Sequence, residues 1–235
     1  MDVTRPHSSL FLTPELEIAR YRYDRVKPLN KFGYNAAIGT SYETVWSHGG
    51  LYPWDLTPGI ATIVSDYAAD VSQVVVTGVD SNFEEFEVTV TLQGTTPVQV
   101  GADVKHICRA YAEDIDLVGV VLISLDSTVI ARIDPEHNQT LTSTCVVPAG
   151  YTGYVISGIA STGKGKDATV EFKGRTNDKS FRTLHIAQIY QSSYRFNFDL
   201  PLRVEEKTIM EVRGVSSASG TLVSAAYNMV LIKEK

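Results

Sequence analysis

The sequence predicts an all-β protein, an antiparallel β-sandwich of jelly-roll type with an extended N-terminal arm. Apolar and polar residues alternate in residues 86–93 (FEVTVTLQ) and 194–200 (YRFNFDL), as in strands with one buried and one wet face. Turn-forming residues recur at short intervals between residues 79 and 220. Few segments show the three-and-four apolar spacing of helices. Many short strands joined by regular turns are typical of sandwiches and jelly rolls.

Further strands are predicted along the same part of the chain. Residues 170–173 (VEFK) alternate in the same way, and residues 117–123 (LVGVVLI) form a continuous apolar run. The length and the Val and Ile content of that run favour a strand buried on both faces over a helix. The predicted turns lie at residues 79–82, 93–97, 134–138, 148–150, 162–165 and 219–220.

Residues 1–45 have a different character and are predicted to form the extended arm. They contain three prolines, an aromatic-basic run at residues 21–23 (YRY) and no sustained apolar periodicity. Thr13 and Pro14 can begin a short helix, with Thr13 as the N-cap and Pro14 in the first turn. The rest of the arm is expected to lie across its own domain or across a neighbour.

Residues 46–235 are predicted to form the β-sandwich domain, which could divide into two β subdomains at about residues 46–112 and 113–235. The domain opens with an aromatic, glycine-rich stretch at residues 45–54 (VWSHGGLYPW). The two glycines permit backbone angles that a β-carbon disfavours, and the aromatic rings are large apolar bodies with polar tips. We interpret the stretch as a hydrophobic plug at the edge of the sandwich; a subunit contact and a sugar-stacking platform are the alternatives.

Charge and composition bear on several classes of protein. The chain has 21 basic and 27 acidic residues, a net charge of −6 and no dense basic cluster, which disfavours nucleic-acid binding. It contains no apolar run of about 20 residues that could span a membrane, and its polar N-terminus does not look like a signal peptide. The two cysteines, Cys108 and Cys145, are expected to be buried free thiols. We therefore expect neither nucleic acid nor membrane as a partner.

The sequence offers no group of residues that suggests catalysis. The five histidines do not stand at metal-ligand spacing, and the chain has no G-x-S-x-G motif. Residues 161–166 (STGKGK) lack the spacing of a phosphate-binding loop and are interpreted as a hairpin tip. Asp126, Asp134 and Glu136 are interpreted as solvated loop carboxylates. The expectation is a protein that is not an enzyme, with no catalytic residues, no metal and no cofactor.

Several motifs resemble those of one family. Residues 30–35 (NKFGYN), 42–46 (YETVW), 49–54 (GGLYPW) and 79–85 (VDSNFEE) are followed by 147–154 (VPAGYTGY). In this order they resemble virion structural proteins of tailed bacteriophages. The resemblance implies a capsid cement (decoration) protein that stabilises the shell through contacts with the major capsid protein. It implies a homo-oligomer, with a trimer favoured, located in the virion and assembled in the host cytoplasm. A tail, adaptor or baseplate component is the alternative, and a glycan-binding module is a third.

The composition of the arm predicts an interface with another chain. The arm has too many apolar residues for a free tail, and Tyr and Arg are enriched in interface cores. We expect the arm to be buried against another chain. The candidate interface residues are Tyr21, Arg22, Tyr23, Arg25, Phe32, Tyr34, Trp46, Tyr52 and Trp54.

Overall fold

The computed structural model describes residues 13–176 and 179–234, and it confirms the predicted all-β class. Helix α1 (Pro14–Ala19) begins as predicted, because the Thr13 hydroxyl accepts a hydrogen bond from the Leu16 amide and Pro14 occupies the first turn. It is the single α-helix in the described ranges. In chain order the strands are β1 (Val26–Ile38), β2 (Glu43–Thr44), β3 (Gly59–Ser65), β4 (Gln73–Val79), β5 (Glu85–Thr91), β6 (Val98–Val104), β7 (His106–Ala112), β8 (Val121–Leu125), β9 (Thr128–Asp134), β10 (Gln139–Thr140), β11 (Cys145–Val146), β12 (Tyr151–Thr162), β13 (Asp167–Arg175), β14 (Arg182–Tyr190), β15 (Ser193–Val204), β16 (Ile209–Ser216) and β17 (Thr221–Lys233).

One sheet forms a nearly closed barrel. Its eight strands follow the order β5-β4-β7-β10-β9-β8-β3-β6, and the two end strands, β5 and β6, lie beside each other. A bridge between Gln93 and Thr96 closes the turn that joins them. The interior is filled by branched aliphatic side chains, including Val74, Ile123 and Ile133, none of which reaches solvent. Alternation along these strands produces this core, because every second residue points inward.

Two further sheets form a sandwich. The four-stranded sheet β1-β17-β12-β15 packs against the sheet β11-β16-β13-β14, and β2 pairs with β16. Its core contains Phe172, Met210, Tyr227 and Met229, each at most 3% exposed. The predicted alternation at residues 170–173 is confirmed, because Val170 and Phe172 point into this core.

The sheets divide the chain differently from the boundaries predicted at residues 45 and 112. Strand β1 belongs to the sandwich, because it pairs antiparallel with β17 from Val26↔Ile232 to Ile38↔Thr221. The barrel, residues 59–140, is therefore an insertion between β2 and β11. Of the predicted arm, residues 26–38 form a sheet strand and not a free extension; residues 1–12 lie outside the described part.

Gly33 lies where strand β1 passes very close to two other backbone segments. A β-carbon at Gly33 would lie 2.1 Å from the Val45 carbonyl oxygen and 2.4 Å from the Ser143 amide nitrogen. Real β-carbons do not approach backbone atoms this closely, so β1 can pass the segments before and after the barrel only with glycine at this position.

The apolar run at residues 117–123 is only partly a strand. Strand β8 begins at Val121, and the preceding residues form a loop in which Val118 is 61% exposed. Two carboxylates hold the loop: Asp70 accepts the amides of Val118 and Gly119, and Asp66 accepts the amide of Val120. These side chains satisfy the backbone donors, so the loop needs no strand partner.

Candidate functional site: an aromatic plug and an exposed Tyr–Arg segment

The aromatic, glycine-rich stretch packs inside the chain. Trp46, Tyr52 and Trp54 are 2%, 6% and 6% exposed, which confirms the predicted burial of both tryptophans. Ring centroids lie 5.0 Å apart for Trp46 and Tyr52, and 4.5 Å apart for Tyr52 and Trp54. Gly49 and Gly50 have φ of 82° and 71°, and the Gly50 carbonyl accepts the Trp46 indole N–H at 3.1 Å. The three rings, called the aromatic plug below, sit between β2 and the barrel.

His106, at the start of β7, completes the aromatic plug from the barrel side. Its Nδ1 lies 2.9 Å from the Tyr52 hydroxyl, and its ring stacks on Trp54 with centroids 4.8 Å apart. Burial lowers the pKa of His106 well below its usual value, with the nearby Lys31 and Lys105 cations acting in the same direction. Burial also raises the pKa of Tyr52. The imidazole and the phenol are therefore both neutral near neutral pH.

A buried lysine lies on β1 close to both cysteines. The Lys31 ammonium donates a hydrogen bond to the Cys108 carbonyl, and its side chain is shut off from solvent. Burial lowers the pKa of Lys31, raises that of Cys108, and raises that of Cys145 to about 12. Both cysteines are free thiols, as predicted, and both are protonated near neutral pH; Cys145 is buried as predicted, whereas Cys108 is partly exposed.

The burial of the aromatic plug corrects part of the predicted interface. Trp46, Tyr52 and Trp54 pack on one another and on His106, so their ring faces are covered within the chain. They form the hydrophobic plug of the first interpretation. They offer no platform for sugar stacking and no surface for a partner in this folded state, because both roles need an accessible ring face.

Phe32 and Tyr34 lie between the sandwich and the barrel. Both are half-buried on β1. The Arg109 guanidinium lies 5.7 Å from the Phe32 ring centroid, and the Tyr34 ring meets His137 edge-on at 6.3 Å. Arg109 also donates to the Asn30 carbonyl at 3.2 Å. These contacts connect the sandwich to the barrel, so both aromatic side chains pack mainly within the chain.

The remaining four candidates lie together on the surface. Tyr21 and Tyr23 are 66% and 51% exposed, and Arg22 and Arg25 are exposed beside them. Residues 20–25, which we call the Tyr–Arg segment, follow directly after α1. Arg22 lies 3.4 Å from the Glu17 carboxylate, and Arg25 donates to the Glu234 carbonyl at 2.9 Å. The segment thus presents two large rings and a net positive charge to solvent.

Sequence reasoning missed a second exposed apolar surface on β14 and β15. Ile186 and Tyr190 on β14 are 54% and 65% exposed, and Leu200 on β15 is 86% exposed. Pro201 was an available signal for β15, because proline inside a strand pattern indicates an edge strand. Nothing in the pattern of residues 182–190 distinguishes an edge strand from a central one.

In the described ranges, no group of three or more His, Cys, Asp or Glu side chains could hold a metal ion. No helix in those ranges is long and apolar enough to span a membrane.

Comparisons with known proteins find distant structural likeness alone. No protein-family model and no curated protein matches the sequence. Among solved structures, the VP2 subviral particle of infectious bursal disease virus is 12% identical over 89% of this chain and 72% of that chain, with a TM-score of 0.24. The Gx strain of that virus is 11% identical over 88% and 70%, also with a TM-score of 0.24. TM-scores this low do not establish a shared fold.

Proposed function

We propose that this chain is a non-enzymatic structural component of a tailed-phage virion that attaches to its neighbours through the Tyr–Arg segment. The observation that carries the proposal is the exposure of Tyr21 and Tyr23 beside two exposed arginines. Large apolar rings side by side on a surface mark protein interaction sites. Tyr and Arg are also the residue types that most often dominate binding energy.

The charge of this surface favours an acidic partner. The whole chain carries a net charge of −6, whereas residues 20–25 hold three arginines and one aspartate, a net charge of +2. Glu17 pairs with Arg20 and Arg22, and Arg25 has no carboxylate partner among the described ion pairs. Arginine side chains can pair bidentately with carboxylates, and a complementary charged patch speeds docking. The segment therefore suits an acidic groove on a neighbouring chain better than a second copy of itself.

The family resemblance of the motifs in residues 30–54 and 79–85 makes a capsid cement protein the leading assignment. In this role the major capsid protein is the partner, the chain assembles as a homotrimer, and the sandwich and barrel sit on the shell. A tail, adaptor or baseplate component is the second candidate, because it needs the same combination of a folded β unit and an attachment segment.

A double substitution of the exposed tyrosines tests attachment. Tyr21→Ser with Tyr23→Ser should leave the melting temperature unchanged, because both side chains are largely exposed. If the pair provides one binding hot spot of about 2 kcal/mol, binding to the particle weakens roughly thirtyfold. The matched control is Tyr67→Ser, since Tyr67 is 45% exposed on a barrel loop. Normal incorporation of the double variant would place the attachment surface elsewhere.

Deletion of residues 1–25 tests the same claim more severely. Strand β1 starts at Val26 and keeps its pairing with β17, so the truncated chain should fold. It should be depleted from purified particles while its melting temperature stays close to that of the full chain. A large fall in melting temperature would show that these residues support the fold, and normal incorporation would refute their role in attachment.

A further inference from the structure

The outer edge of β14 has no strand partner among the described residues. Strand β14 ends the sheet β11-β16-β13-β14, and its ladder is with β13 alone. Ile186, Gln188 and Tyr190 point away from the sandwich core, because their cross-strand neighbours are the solvent-side residues of β13. The stretch 186–190 therefore combines an unpaired backbone edge with two exposed apolar side chains.

The other end strands of the three sheets, within the described ranges, are covered or blocked. Strand β1 lies against the barrel, where Lys27 forms an ion pair of 2.6 Å with Glu85. Strand β15 carries Pro201 and a bulge in which residues 198–201 oppose Ile156 alone. Strand β11 is buried, and the barrel ends β5 and β6 meet. Proline, bulges and covering contacts are the usual devices that protect edges.

The stretch 186–190 has none of those devices. It contains no proline and no charged residue, and the bulge of β14 lies before it, at Leu184. A flat, uncharged and partly apolar edge is the kind that pairs with another strand. This contrast within one molecule indicates that the edge serves to bind a strand.

One contact shows which backbone groups of β14 face its open edge. The Gln191 amide donates to the Lys166 carbonyl at 3.0 Å, so Gln191 directs its backbone groups toward β13. Directions alternate along an antiparallel strand. Ile189 and Ala187 therefore face β13 as well, and the N–H and C=O groups of Ile186, Gln188 and Tyr190 face the open edge.

We propose that β14 pairs antiparallel with β14 of a second copy, about a two-fold axis at Gln188. In this register Gln188 meets Gln188 of the other copy, and each Ile186 meets a Tyr190. The three pairs use the outward-facing backbone groups, and each pair exchanges two hydrogen bonds. The tyrosine ring covers the isoleucine, a favourable cross-strand combination.

The second copy is favoured as the occupant because the edge is self-complementary and neutral. A two-fold contact places the same patch on both sides, and residues 186–190 bring no like charges together. A charged partner strand would find no charge of opposite sign within this stretch.

The size of the contact sets the strength of the dimer. Five residues from each copy bury less than the roughly 800 Å² per partner of a standard stable interface. The isolated dimer should therefore be weak, and it should strengthen where other contacts hold copies at high local concentration. The pairing stands independently of the proposed virion role, and it can be tested on the isolated chain.

Disulfide trapping at the axis tests the pairing. Residues in a hydrogen-bonded antiparallel pair have Cα atoms about 5.5 Å apart, within the range of disulfides. Gln188→Cys should thus form a disulfide dimer when an added oxidant accepts the two electrons of the paired thiols. The control is Thr95→Cys, at an exposed position in the turn between β5 and β6. We expect dimer from Gln188→Cys at least tenfold faster than from the control.

A charge placed in the edge gives the second arm of the test. Adding Ile186→Lys to Gln188→Cys should reduce the dimerisation rate to that of Thr95→Cys, because a lysine on a strand edge opposes pairing and the substitution removes both Ile186–Tyr190 contacts. The matched change is Ile60→Lys on β3, since Ile60 and Ile186 are 51% and 54% exposed; it should leave the rate unchanged. Equal rates for Gln188→Cys and Thr95→Cys, or no effect of Ile186→Lys, would overturn the proposal.

Discussion

Acidification should destabilise the chain through His106. The imidazole is fully buried, its Nε2 has no hydrogen-bond partner among the residues that the structure describes, and burial holds its pKa well below the ordinary 6.5. In the unfolded chain the same group takes up a proton near pH 6.5. Below that pH the unfolded state therefore binds one more proton than the folded state, and the free energy of unfolding falls as the pH falls.

The size of the effect follows from the binding of one proton. While the folded imidazole stays neutral, the loss is about 1.4 kcal/mol at pH 5.5 and about 2.7 kcal/mol at pH 4.5, relative to a pH well above 6.5. The loss stops growing once the pH passes below the folded pKa.

Two variants separate this effect from the loss of a hydrogen bond. His106→Phe keeps a ring against Trp54 but cannot titrate, and it leaves the Tyr52 hydroxyl without its imidazole partner, at a cost of about 1–3 kcal/mol at every pH. Tyr52→Phe removes the same hydrogen bond and keeps the imidazole. Urea unfolding of both variants and the wild type between pH 7.5 and pH 5.5 gives the comparison.

The gap in stability between wild type and His106→Phe should narrow by about 1.4 kcal/mol over this range. Tyr52→Phe should keep the pH dependence of the wild type, because its imidazole remains buried. If His106→Phe loses stability with acid as steeply as the wild type, His106 is not the source and the reasoning fails.

Two further predictions concern the core and a loop. Trp54→Ala should lower the free energy of unfolding by about 3–5 kcal/mol in urea titrations, whereas the exposed Tyr67→Ala should change it little; equal effects would contradict the burial of the aromatic plug. Asp70→Asn should cost about 2–3 kcal/mol near neutral pH, because the amide cannot accept all the hydrogen bonds from Ser65, Val118 and Gly119. Although burial opposes ionisation, these hydrogen bonds lower the pKa of Asp70. The stability that the Asp70 carboxylate contributes is therefore present above pH 3.8 and is lost as the pH falls through the folded pKa. If Asp70→Asn cost the same free energy of unfolding at every pH down to about 2, this prediction would be wrong.

Features that depend on neighbouring residues, such as strand alternation and helix capping, could be predicted from the sequence. Alternation at residues 86–93 marked a true strand, and Thr13 and Pro14 marked the start of the helix. The pattern failed for β1 because its partner β17 lies about two hundred residues further along the chain. Pro28 argued against a strand there, yet β1 is an edge strand of its sheet, where proline is tolerated.

The candidate site likewise has a part that the sequence predicted and a part that it did not. The large rings of Trp46 and Trp54 predicted their burial, because such rings seldom remain exposed beside a core. His106 was not predicted as their partner, since it reaches them from a different strand through the fold. Exposure at Ile186 depends on which strands find partners, which is a property of the whole sheet and not of neighbouring residues.

The abundance of the chain in purified particles tests the central claim most directly. Quantitative mass spectrometry of purified virions gives its ratio to the major capsid protein. The virion assignment predicts a fixed, reproducible ratio: many copies in proportion to the capsid protein for a cement protein, or the few copies of a single ring for a tail component. Absence of the chain from purified particles, with the protein left in the lysate of the infected host, would contradict the account.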